Sequence, residues 1–229
     1  MRVRTISLVA IAVAALLAAI AIAAAPAFSA GSGRFASITK PHVVKKFISY
    51  GAGRKQQMAD YSRRHYGVKQ ATYLLTDPKA IVLHHTDGAD WQSAWNTFNG
   101  NAAYNGEKPG TSAQFIIAKN GTIYQLMPLT FRARHCIGMN YISFGIEFCQ
   151  ESAGHDGHWM DQQILARKEQ VNAGLRLVRW LQAHYRIKTK NVVGHATANS
   201  SPYFMDKTGA KNAAGDWFAP ELKKFKARL

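Results

Sequence analysis

The run "AIVLHHTDGADW", Ala80 to Trp91, decides how the fold is read. Ile81, Val82 and Leu83 make a short apolar stretch of strand length that stops at two histidines, His84 and His85. Two further stretches share the design. "SFGIEF" (143–148) carries Glu147 among apolar residues, and "KNVVGHAT" (190–197) runs into His195. Three apolar strands therefore carry a polar group at similar depth. In an α/β sheet, ligands collect beyond the strand ends.

The rest of the chain alternates between strand and helix signals. "QFIIAKNGTIYQLMP" (114–128) has two β-rich runs about Asn120-Gly121, a dipeptide suited to a type I′ hairpin turn. Trp91, Trp95 and Phe98 recur at helical spacing, followed by a Gly/Asn-rich loop. "DQQILARKEQVNAGLRLVRWLQAHY" (161–185) places Ile164, Val171, Leu175, Val178 and Leu181 on one face, the pattern of one long amphipathic helix. "APELKKFKARL" (219–229) reads as a terminal helix, and "GAGRKQQMADYSRRHYG" (51–67) as a basic helical element. Together these predict an α/β fold: a single domain with a central mixed β-sheet flanked by helices.

The N-terminus has a different character. Arg2 and Arg4 precede an uncharged apolar run from about Ile6 to Phe28, and small residues follow at Ala27 and Ala30. This is the pattern of a secretory signal peptide over residues 1–30, and the run is also long enough to serve as a membrane anchor. Either reading puts the working domain outside the cytoplasm: exported, then secreted, periplasmic or cell-wall associated. Residues 31–50 read as a linker, and 51–229 as the working domain.

With 29 Lys plus Arg against 13 Asp plus Glu, the chain carries +16. Such a field favours polyanions, and in an exported protein these are anionic cell-wall polymers or membrane surfaces rather than nucleic acid. A membrane contact is expected only through an uncleaved N-terminal segment. Cys136 and Cys149 allow one disulfide, which export permits, and free thiols fit equally well. A Cys149–His dyad is conceivable, because Cys149 shares a strand face with Glu147, but its surroundings do not suggest a cysteine protease. HExxH, GxSxG and P-loop patterns are absent from the sequence. "HDGH" (155–158) reads as solvated surface.

Two histidines and a carboxylate delivered by separate strands make the donor set of a catalytic zinc site, which uses three protein ligands and keeps one position open. Here the sequence resembles a known family. "IVLHHT", "SAQFIIAKNGTIYQLMPL", "RHCIGMNYISFGIEF" and "VVGHATANSSPYF" occur in the order and spacing of type 2 N-acetylmuramoyl-L-alanine amidases, a family that includes the peptidoglycan recognition proteins. The resemblance runs from about Gly51 to the C-terminus.

It implies a Zn2+ cofactor, a peptidoglycan substrate and hydrolysis of the amide between N-acetylmuramic acid and L-alanine. It also implies His84 and His195 as zinc ligands, Glu147 as general base, and His135 as a residue near the scissile bond that binds substrate or stabilises the oxyanion. His85 becomes either a packing residue or a support behind the ligand that orients the loop from Thr86 onward. Trp91, Trp95 and Tyr104 are candidates to line a glycan groove. The third ligand departs from the family's "KxDPG" form. Asp216, just before the last helix, is the favoured candidate and Asp206 the alternative. Gln114 stands where many relatives have His or Asn. Two other readings remain at this point: a peptidoglycan-binding module without activity, and a basic nucleic-acid binder, which accounts only for the charge.

Overall fold

The computed structural model describes residues 38–213 and 215–229, which form one compact unit. The expected signal segment, residues 1–30, and the first part of the expected linker lie outside the described residues. No described helix is long and apolar enough to cross a membrane.

The apolar runs form the strands expected of them. A six-stranded mixed sheet comprises β1 (Val44–Lys45), β2 (Ala80–His85), β3 (Phe115–Ile117), β4 (Ile123–Gln125), β5 (Ser143–Phe148) and β6 (Val192–Gly194). Their order is β1-β4-β3-β5-β2-β6. Only β3 and β4 pair antiparallel, and every other neighbour is parallel. β1 lies inside the stretch expected to be linker, and Ile48 beside it is buried. The domain therefore begins before residue 51.

Among the described residues five α-helices complete the fold: α1 (Ala52–Tyr66), α2 (Trp91–Gly100), α3 (Gly157–Ala166), α4 (Lys168–Tyr185) and α5 (Ala219–Lys226). The alternation of side chains along a strand sorts them between two faces. Ile81 and Leu83 of β2, with Phe144, Ile146 and Phe148 of β5, pack into the main core against α3, α4 and α5. On the opposite face Ile116 joins a second core with Ala94 and Phe98 of α2. His84 and Glu147 share the parity of that second face.

Two local expectations are corrected. The long helix over 161–185 is two helices, broken at Arg167 with φ −85° and ψ 94°. Its guanidinium bonds the side chains of Gln150 and Gln170, so a tertiary contact holds the break while both halves keep their apolar faces on one core. The β3–β4 connection is not a two-residue type I′ turn, which would need positive φ at Asn120. Gly121 N–H donates to Ala118 carbonyl and only Gly121 has positive φ (83°), the pattern of a type I turn closed by a glycine bulge. A Cβ there would lie 2.7 Å from the Glu169 carbonyl oxygen.

Cys136 and Cys149 are both free and buried, in different apolar clusters. Burial pushes the Cys149 thiol up to about 12, which removes the conceivable thiolate nucleophile. The "HDGH" stretch lies at the surface, as expected, and leads into α3. Asp156 caps α3 by accepting from Trp159 N–H, and His158 stacks on Phe218 and reaches Glu221 at 3.0 Å.

Candidate active site

The parallel pairing of β2 and β5 sets His84 directly opposite Glu147. β6 flanks β2 on its other side, and His195 follows its last residue. The carboxyl ends of three adjacent parallel strands thus bring these residues together. Asp216 arrives from the segment before α5. Its carbonyl accepts from Ala196 N–H at 2.8 Å, tying that segment beside His195.

His84 Nδ1 lies 3.1 Å from His195 Nδ1 and 3.1 Å from Asp216 Oδ2, and His195 Nδ1 is 3.0 Å from Asp216 Oδ1. These are the three residues whose donor atoms converge as a group that could hold a metal ion. Zinc–nitrogen and zinc–oxygen bonds of about 2.0–2.1 Å in a tetrahedron put ligand atoms roughly 3.3 Å apart, close to this triangle. Asp216 Oδ1 is buried, and its approach to His195 lacks hydrogen-bond geometry, so it is left unpartnered. The donor types, their spacing and that orphaned oxygen all fit a zinc ion.

Each imidazole gives Nδ1 to the cluster and sends Nε2 elsewhere. His195 Nε2 meets Asn212 Oδ1 at 3.0 Å, and Asn212 in turn donates to Ile137 carbonyl and Asn199 Oδ1. His84 Nε2 meets His135 Nδ1 at 3.0 Å. Burial, then the neighbouring His195 charge, push His84 down to about 4. Burial opposes the charge on His195 as well, but contact with Asp216 and Cys136 outweighs it and lifts His195 to about 11. The same two histidines hold the buried Asp216 carboxyl far below its usual range.

Glu147 is 8% exposed, and burial, reinforced by Asp216, raises its proton affinity well above the usual carboxylate range. It lines a cavity of about 730 Å3 together with His84, His135, His195 and Asp216. Tyr104, 53% exposed, lines this cavity and a smaller one of about 240 Å3 next to it. Trp91 stacks on Tyr124 and Trp95 Nε1–H donates to Lys46 carbonyl, both against the second core. Of the three aromatic groove candidates, only Tyr104 lines the cavity.

Asp206 lies apart from the cluster. Its carboxylate meets His65 Nδ1 at 2.6 Å and accepts from Thr208. His65 is held on its other side by Glu107, so Asp206 serves a bridge between α1 and the loops. His85 faces the main core, with Nε2 at 3.8 Å from Asp161. Gln114, just before β3, ties β5 to the loop at Phe131: its Nε2 donates to Phe131 carbonyl, and its Oε1 accepts from Gly145 N–H.

Sequence reading missed the groups that fix Asp216. Asp161 accepts the backbone N–H of Trp217 and of Phe218. Trp217 is fully buried against Phe148 and Phe225, and its Nε1–H donates to His84 carbonyl. Its φ is 53°, and a Cβ at Gly194 would lie 1.8 Å from its carbonyl oxygen. The adjacency of an aromatic to the candidate ligand in "GDWF" was the only local signal, and it is weak.

A mixed α/β sheet that brings two histidines, an aspartate and a buried glutamate to one cavity defines a candidate metal-dependent hydrolase. Residues 74–209 match the pattern of a family described as N-acetylmuramoyl-L-alanine amidase, and the chain belongs to that family. Membership supports peptidoglycan amidase activity. The match ends before Asp216 and excludes α1.

Solved structures agree on the fold. A mutant endolysin from Bacillus subtilis is 23% identical with a TM-score of 0.51, covering 82% of this chain and 97% of that one. The catalytic domain of XlyA is 22% identical with a TM-score of 0.50, over 82% and 99%. The endolysin N-acetylmuramoyl-L-alanine amidase LysCS from Clostridium intestinale URNW is 18% identical with a TM-score of 0.51, over 84% and 97%. No curated protein matches the chain.

Proposed function

We propose that this protein is a zinc-dependent N-acetylmuramoyl-L-alanine amidase that cleaves the amide between the lactyl group of N-acetylmuramic acid and L-alanine of the stem peptide. One observation carries the reading: the His84–His195–Asp216 triangle, with sides of 3.0–3.1 Å, stands beside a buried Glu147 in a chain of this family. His84, His195 and Asp216 would hold the ion, which when bound supplies Lewis acidity toward an amide carbonyl and acidifies water.

The chain's own groups supply the proton traffic. Glu147, raised by burial, is matched to take a proton from the attacking water and to return it to the leaving amine. Its fixed place in β5 spares it reorganisation. Tyr104 offers an exposed aromatic face at the cavity for the sugar or peptide.

Export, with Arg2, Arg4 and the apolar run as its signal or anchor, belongs to the same reading. So does a domain running from about residue 38, and so does affinity for anionic wall polymers. The test is purified full chain incubated with muropeptides. Free stem peptide should appear, stop with chelator, and return with Zn2+. Peptidoglycan binding with no zinc-dependent release would favour a binding module instead.

A further inference from the structure

We propose that His135 is the positioning residue of the zinc site, selecting the tautomer of His84 and holding its ring, rather than a group that touches substrate. The inference rests on the zinc reading above. It starts from where the protons can be. His84 Nδ1 faces His195 and Asp216, so it can serve an ion only as a lone pair. Its proton must then sit on Nε2, and at 3.0 Å the acceptor is His135 Nδ1.

The consequence runs on without a conflict. With Nδ1 accepting, neutral His135 carries its proton on Nε2, which faces Ser143 Oγ at 3.4 Å. The Ser143 hydroxyl donates to Met139 carbonyl at 2.7 Å. Each donor in the chain has an acceptor, and the chain ends on backbone. The opposite direction fails: a proton on His135 Nδ1 would demand a lone pair on His84 Nε2 and put the His84 proton inside the ligand triangle.

The surroundings hold the ring for this task. His135 stands nearly perpendicular to His84, at 83° with centroids 5.1 Å apart. Its backbone N–H and that of Cys136 both donate to Asn140 Oδ1, at 2.9 and 2.7 Å. Gly145 leaves room for it, because a Cβ there would lie 2.7 Å from His135 Cγ. The glycine of "SFGIEF" is thus a seat for the imidazole. The ring lines the cavity, but both nitrogens are committed to protein partners, which leaves neither N–H free for an oxyanion.

The decisive measurements are zinc affinity, by competition of Zn2+ with a chromophoric chelator, and kcat at saturating Zn2+. His135→Ala should weaken zinc about 10–100-fold, the range for loss of such a partner. At saturating Zn2+ its kcat should return to within a few-fold of wild type. His135→Asn, which keeps an acceptor near the Nδ1 position, should recover most of the affinity. A His135→Ala protein with wild-type zinc affinity and a collapsed kcat would overturn the proposal, as would an Asn variant no better than Ala.

A wild-type readout covers the case in which the variants do not fold. Nitrogen-15 spectra of the zinc-loaded protein should show His84 and His135 both neutral with the proton on Nε2. A proton on His135 Nδ1 refutes the assignment. If wild type itself binds no zinc, the functional reading falls and this inference falls with it.

Discussion

His84 and His85 are adjacent, and one peptide unit separates two fates. Alternation turns His85 into the main core beside Asp161 and His84 to the other face, where His195 and Asp216 meet it. The two aspartates are distinguished in the same way, by what surrounds them. Asp216→Ala removes a corner of the triangle, and bound zinc per chain, read by emission spectrometry, should fall to near zero. Asp206→Ala should keep zinc but lose about 1–3 kcal/mol in urea unfolding, because it strips a buried partner from His65. The reverse pattern would exchange their roles. Glu147→Gln should retain zinc and lose about 100-fold or more in kcat/KM.

Proton linkage at this scale also has a sign. In the ion-free protein His195 holds its proton up to about 11, so at neutral pH zinc must displace it. Apparent zinc affinity should therefore rise with pH, about tenfold per unit between pH 6 and 8 from this single proton. A chelator competition flat across that range would show that His195 is already neutral.

At the scale of elements, the legible parts were those written locally. "AIVLHH", "SFGIEF" and "VVG" are strands because their apolar runs lie in the sheet, and their adjacency there brings His84, Glu147 and His195, which follows β6, together. The break at Arg167 and the bulged turn at Gly121 were not legible. The break is held by Gln150, distant in sequence, and at the turn the distant Glu169 carbonyl leaves no room for a side chain at Gly121. Asp161 and Trp217 were hidden for the same reason: they act on Asp216 through backbone hydrogen bonds and packing, which leave no spacing pattern.

Helix α1 shows the limit from the other side. It reads as a basic extension and lies outside the family match, yet Met58 and Tyr61 are fully buried. Arg54 donates to Phe98 carbonyl at 2.7 Å, and Tyr61 OH accepts from Asn140, the residue that fixes the His135 backbone. α1 should therefore behave as core. Met58→Ala is expected to cost about 2–5 kcal/mol in urea unfolding. A cost below about 0.5 kcal/mol, the scale of a surface substitution, would make α1 an accessory.

For the whole molecule, the net charge of +16 is not spread evenly. Between Glu169 and Asp206 the sequence has no acid, and beyond Asp216 only Glu221, which is buried against His158. Arg186, Lys188, Lys190, Lys223, Lys224 and Arg228 are exposed, and none has a carboxylate partner among the described residues. They gather where α4 and α5 end. Tyr185 packs on Phe144 near the start of β5, Lys226 Nζ donates to the Val192 carbonyl at the start of β6, and the Arg179 guanidinium reaches the Arg228 carbonyl.

The residues proposed for catalysis sit at the opposite, carboxyl ends of the same strands. Helix dipoles account for some of these bases, since cations favour helix C-termini, but that effect reaches only the last turn. Lys188 and Lys190 lie beyond it. A polyanion held at this end would leave the cavity open to substrate at the other. Reversing Lys188, Lys190 and Lys224 to Glu should cut retention on walls carrying phosphodiester polymers roughly tenfold at low salt. The difference should fade as salt shortens the screening length. Hydrolysis of a soluble muropeptide should not change. Three reversals elsewhere, at Lys46, Lys69 and Lys207, alter the net charge equally. If they reduce retention as much, the total charge and not its placement governs wall binding.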